Sequence, residues 1–142
     1  MKSFALAGLL AAGSLGLSLN AMAAGEAITV YQDPNCGCCH GWAEHMRAEG
    51  FEVREVPSAD MAAVKSRLGV PMNLASCHTA RIDSSGQIVE GHVPASVVRK
   101  LLADASVSGV AAPGMPLNAP GMGALDGNLV TVDFQGKAFS KD

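Results

Sequence analysis

The chain predicts an α/β domain built on a central mixed sheet of four to five strands flanked by helices. Three observations carry this. Short runs rich in β-branched residues alternate with helix-period stretches between Ala27 and Leu102. The connections between them are brief and carry Gly, Pro, Asp and Ser, the turn formers. Three of the 4 cysteines crowd into Cys36-Gly37-Cys38-Cys39, at the junction of the first run with the first helical stretch.

Ala27-Ile28-Thr29-Val30-Tyr31 reads as the first strand, ended by Asp33-Pro34-Asn35. The cysteines follow, then a helix to about Glu49 in which Cys39, Trp42 and Met46 share one face and which Gly50 closes. Phe51 to Val56 gives a second strand, stopped by Pro57. Asp60 is placed to cap a helix with an apolar stripe of Met61, Val64 and Leu68, ending at Gly69. Short connections in a β-α-β order favour parallel pairing of the first two strands. After an irregular stretch over 70–76, Thr79 to Asp83 and Gln87 to Glu90 read as strands joined by a Ser84-Ser85-Gly86 turn. Pro94 opens a helix that buries Val97, Val98, Leu101 and Leu102. Near 106–128 the composition shifts to a Gly/Pro/Met-rich loop with Pro-Gly-Met used twice, followed by a last strand or hairpin over 129–139. A loop of that length is expected to pack on the domain. The order β-α-β-α-β-β-α is that of a thioredoxin-like fold, and a cysteine cluster at the first helix's N-terminus strengthens that reading.

Ahead of this domain, Lys2 is the only charge before Glu26, and residues 4–18 form an uncharged, largely apolar stretch. Ala21-Met22-Ala23 supplies the small–x–small pattern of a signal cleavage site, so residues 1–23 are expected to be a signal peptide. The apolar stretch falls short of the roughly 20 residues a span needs, and no stable membrane anchor is expected after cleavage; an uncleaved anchor is the alternative. Residues 24–142 then make a single domain by length. The chain carries 10 Lys plus Arg against 13 Asp plus Glu, with no basic run or interleaved aromatics. That composition argues against a nucleic-acid partner.

Thiol sulfur is the soft donor that Cu(I), zinc and iron–sulfur centres select, and it also performs thiol–disulfide exchange. An even cysteine count in an exported chain ordinarily suggests structural bridges. Here Cys38 and Cys39 are neighbours, poorly placed to bridge each other. Cys36 can bridge Cys39, leaving Cys38 to find Cys77, but bridges so crowded would staple almost nothing. A helix N-terminus favours anions, so the thiols on it are expected to ionise near neutral pH. Gly37 permits a tight backbone on which several sulfurs converge, and the loop before the third strand brings Cys77 to them. Four clustered thiolates call for cations. Several Cu(I) ions sharing bridging sulfurs suit the set; one zinc in a four-sulfur cage is the alternative, with adjacent Cys38 and Cys39 awkward for it. A thiol–disulfide oxidoreductase using Cys36 and Cys39 is a further alternative.

His78 either ligates through its imidazole or hydrogen-bonds to a ligand. His40 reads as a solvated helix residue, His45 and His92 as surface or structural, and Trp42, Met46 and Met61 as core. Met115 and Met122, thioethers in a Pro-Gly setting, are open to core filling or copper contact.

Four stretches carry a resemblance: Tyr31 to Trp42 around the CxCC motif, Leu74 to Ala80 around Cys77-His78, Glu90 to Pro94, and Pro113 to Pro116. In them the chain resembles the CopG-type periplasmic copper-resistance proteins, a thioredoxin-like metal-binding family. The resemblance implies copper held by Cys36, Cys38, Cys39 and Cys77, with His78 as the motif histidine. It also implies a periplasmic role in copper resistance and in changing copper's redox state, with a copper-handling or electron-transfer protein as partner. No function is carried onto the tail after Met122. An ordinary thioredoxin sets a proline directly before the third strand, whereas here Pro71 lies upstream and Cys77 faces the dithiol. A cysteine there would trap a mixed disulfide or a metal, which disfavours turnover as a general disulfide exchanger.

Overall fold

The computed structural model describes residues 25–142, and the expected signal segment lies outside the described residues. β1 (Ala27–Gln32) and β2 (Glu52–Pro57) pair in parallel, with Ile28 opposite Val53, across the helix α1 (Gly37–Ala48). That helix stops where Gly50 takes φ 91°, which lets the Phe51 N–H donate back to Met46 O at 3.1 Å. α2 (Met61–Arg67) starts as expected, the Ala63 N–H donating to Asp60 Oδ1 at 2.9 Å. A 3-10 turn, Met72–Leu74, leads into β3 (Thr79–Ile82), which runs antiparallel to β1 on its free side. β4 (Ile88–Glu90) returns antiparallel to β3, and α3 (Ala95–Leu102) crosses to β5 (Gly109–Ala111), parallel to β4. β6 (Val130–Asp133) and β7 (Ala138–Lys141) complete the sheet as a hairpin.

The order is β2-β1-β3-β4-β5-β6-β7, a mixed sheet of seven strands among the described residues, more than the four to five expected. β5 lies inside the segment read as a loop. Its Gly-Val-Ala has neither alternation nor length; it becomes a strand because β4 offers an edge, with Val110 opposite Val89. The final segment forms the hairpin alternative, two strands.

Ile28, Val30, Ala80, Ile82, Val89 and Val110 join Trp42 and Met46 of α1 and Val97, Val98 and Leu101 of α3 in one core. By the strand period, Thr79 and Glu90 point to the other face, where α2 packs. There the expected stripe changes: Val64 and Lys65 are buried, while Met61 and Leu68 are only half-buried. The Lys65 ammonium donates to Glu90 Oε1 at 2.5 Å and to Thr79 Oγ1 at 3.0 Å. A buried ion pair is costly unless the remaining lone pairs are used. Glu90 uses them, accepting from the Ser76 N–H at 2.7 Å and from Thr79 Oγ1 at 2.6 Å. One carboxylate thereby anchors both α2 and the loop that carries Cys77.

The loop after β5 packs on the domain, as its length suggested. Ala119 and Pro120 are buried, and Gly121, at φ 84°, lies so close to α1 that a methyl there would meet Trp42 N at 2.6 Å and Cys38 O at 2.7 Å.

Candidate metal centre

The C-terminal end of β1 delivers the cysteines to α1 through the Asp33-Pro34-Asn35 turn, closed by the Cys36 N–H donating to Asp33 O at 3.0 Å. Cys36 is the residue before the helix, in extended backbone, and its side chain makes no capping bond. The start of the helix therefore does not engage this sulfur. Cys36 and Cys39 are joined as a disulfide, while Cys38 and Cys77 are free thiols. Cys38 Sγ lies 3.5 Å from Cys36 Sγ. Cys77 arrives from the loop before β3, held by Glu90 from beneath and by Ser76 Oγ donating to Gly114 O at 2.5 Å. All four sulfurs lie within 4.8 Å of one another. Sulfurs bound to one ion at about 2.3 Å stand at most roughly 4.6 Å apart, so the four are within ion-sharing reach or a few tenths of an ångström from it.

Cys77, off the helix, is not helped by the helix terminus. Burial pushes its thiol up to about 11, and the neighbouring Cys38 adds to the rise. Near neutral pH it keeps its proton until a cation displaces it.

His78 is fully buried, its Nδ1 3.4 Å from Cys77 Sγ and its ring 4.6 Å from that of Trp42. Its Nε2 has no hydrogen-bond partner. Burial, then the nearby His92 and Lys65, hold its pKa well below the usual imidazole value, so it is neutral. His92, read as surface or structural, is not on the surface. It is completely buried, with Nε2 3.1 Å from Cys77 Sγ and Nδ1 donating to Pro120 O at 2.6 Å. Gly91, at φ 74°, turns the chain after β4 and sends the side chain under Cys77. A lone His outside any periodic stretch gives no burial signal; its one clue was its place in the Glu90 to Pro94 stretch.

The other candidates lie elsewhere. His40 is exposed and pairs with Glu55 at 2.9 Å, a bond that raises its pKa. His45 accepts the Ala95 N–H at 3.2 Å, at the start of α3. Trp42 packs as expected, with its Nε1–H donating to Val93 O at 2.8 Å. Met115 is 46% exposed and Met122 half-buried in the loop after β5. A recess lined by Ala27, Ile28, Glu52, Val53, Arg54 and Asp83 sits at the opposite end of β1 from the sulfurs and gathers none of these groups. Among the described residues no helix is long and apolar enough to cross a membrane.

A family model described as a protein of unknown function, DUF411, matches residues 74–122, which include Cys77, His78 and His92. No curated protein matches. Two solved structures are similar, copper resistance protein CopG in its form 1 and its form 2. Each is 46% identical and covers 83% of this chain and 98% of its own, with TM-scores of 0.72 and 0.73. An identity of that size over nearly the full length of the relative means that this chain belongs to the CopG copper resistance protein family.

Proposed function

We propose that the protein takes copper as its cargo and binds several Cu(I) ions on Cys36, Cys38, Cys39 and Cys77, with His78 beside them, in the service of copper resistance. Export through residues 1–23 to the periplasm belongs to the same reading. The observation that carries it is the convergence of four sulfurs within 4.8 Å. Bridging thiolates suit Cu(I) because sulfur is soft and each sulfur has lone pairs to share. A thioredoxin-like arrangement is supported by the β2-β1-β3-β4 order, with β1 and β2 parallel and β3 antiparallel to both its neighbours.

Redox exchange with the cargo also balances. Reducing the Cys36–Cys39 bond takes two electrons and two protons, and oxidising two Cu(I) to Cu(II) releases two electrons. Thiol–disulfide exchange with a partner is the second reading, favoured by that bond in CxxC spacing. Anaerobic Cu(I) titration of the reduced protein is expected to give more than one copper per chain, and serine at all four cysteines is expected to abolish it. Unchanged stoichiometry in that variant, or preferential loading of colourless zinc, overturns the copper reading. Reduction of insulin that depends on Cys36 would favour the exchange reading.

A further inference from the structure

We propose that the buried Lys65–Glu90 pair, on the α2 face of the sheet, is a positioning device for Cys77 and not a support for the fold. Glu90 grips the loop before β3 by the Ser76 N–H, and Lys65 fixes Glu90 in that pose. The bearing of this device on copper rests on the copper reading above; its hold on Cys77 does not.

Stability does not account for the pair. The Lys65 and Glu90 side chains are 7% and 0% exposed, and replacing such a pair by apolar residues of similar volume is often neutral or stabilising. α2 also has an apolar anchor of its own in buried Val64. What an apolar pair could not do is accept a hydrogen bond. Two of the bonds to Glu90 stay within the sheet and α2: Oε2 accepts from Thr79 Oγ1 at 2.6 Å and Oε1 from Lys65 at 2.5 Å. The third reaches outward, where Oε1 also accepts the Ser76 N–H at 2.7 Å, one residue before Cys77. Lys65 locks this pose, since its ammonium donates to Thr79 Oγ1 as well, at 3.0 Å.

Ser76 is in fact held on three sides. Glu90 takes its N–H, and Gly114 O takes its hydroxyl at 2.5 Å. Gly91 stands so close that a methyl there would meet Ser76 Cβ and Oγ, each at 2.6 Å. The residue before Cys77 therefore cannot shift without losing a hydrogen bond or colliding with the turn after β4. The margin at the sulfur is narrow. All four sulfurs lie within 4.8 Å of one another, and one ion spans roughly 4.6 Å between two of them. Slack of about 1 Å, the scale at which a loosely supported site fails, takes Cys77 out of sharing reach.

Two double variants separate the grip from the charge. Lys65→Met with Glu90→Leu removes both the ion pair and the acceptor for Ser76. Lys65→Met with Glu90→Gln removes the ion pair but leaves an amide oxygen facing the Ser76 N–H. The first variant is expected to keep the wild-type urea midpoint. With the disulfide intact, iodoacetamide should nonetheless alkylate its Cys77, followed by peptide mass, about tenfold faster, because the loop opens locally. Its Cu(I) affinity in reduced protein, measured against a chelator, should fall about tenfold, as for other residues that orient a ligand. The second variant should match the wild type in both measurements. Wild-type Cys77 reactivity in the first variant, or an equal rise in both, overturns the proposal. If the first variant does not fold, amide exchange in the wild type decides. Ser76 should exchange as slowly as the amides of β3, and exchange at the rate of an exposed loop overturns the proposal. Failure of the copper reading is separate: the wild type then takes up no Cu(I), while the alkylation difference between the two variants persists.

Discussion

On the proposed copper reading, Cys77 is the side chain that sets the conditions for loading. Its thiol is held up to about 11 by burial and by Cys38, so at pH 7 a metal must expel a proton to reach the sulfur. One proton lost per ion bound makes apparent affinity rise about tenfold per pH unit below that value. Competition against a Cu(I) chelator between pH 6 and 8 should show at least this slope for the wild type, and Cys77→Ser should flatten it by about one unit. An unchanged slope in the variant would mean that Cys77 does not lose a proton on binding. The cysteines and His78 were legible in the sequence because rare residue types in tight spacing carry their own signal. Lys65 and His92 were not. A charge in a helical stripe reads as solvated, and only the far partner Glu90, across the sheet, makes burial of Lys65 tolerable.

At the level of elements, β1, β2, α1 and α3 were readable because periodicity and caps are local properties. β5 was not, since its pairing with β4 is a fact about another strand. The loop after β5 is likewise defined by what it meets. Gly121 approaches the first turns of α1, and Gly41 has no side chain to obstruct it, a Cβ there lying 3.2 Å from Gly121 Cα. Gly121→Ala adds a methyl where Trp42 N and Cys38 O stand, at a φ that disfavours side chains. A loss of about 1–3 kcal/mol in urea unfolding is expected, the usual range for overpacking. Faster amide exchange over residues 119–123 should accompany it. Wild-type stability in this variant would show that the loop does not dock this closely.

For the whole molecule, three imidazoles act in the same direction. Burial lowers the pKa of His45, His78 and His92 in the folded state. Their unfolded values lie near 6.5. As pH falls through that value the unfolded chain takes up protons that the native rings refuse, so acid favours unfolding; well above it the effect is absent. His40, raised by Glu55, works in the opposite sense but is exposed and screened. Thermal melts of metal-free protein should therefore show the midpoint falling from pH 7.5 to 5.5. A flat or rising profile would contradict the buried, neutral state of these rings.

The Cys36–Cys39 bond ties residues only three apart in sequence. So small a ring removes little freedom from the unfolded chain, and cross-links stabilise chiefly through the length of chain they enclose. Breaking it leaves the seven-stranded frame and its buried Lys65–Glu90 tie in place. The hinge of this chemistry is thus a replaceable fitting on a fixed chassis. On the proposed redox reading, opening and closing this bond asks nothing of the architecture that aims the sulfurs.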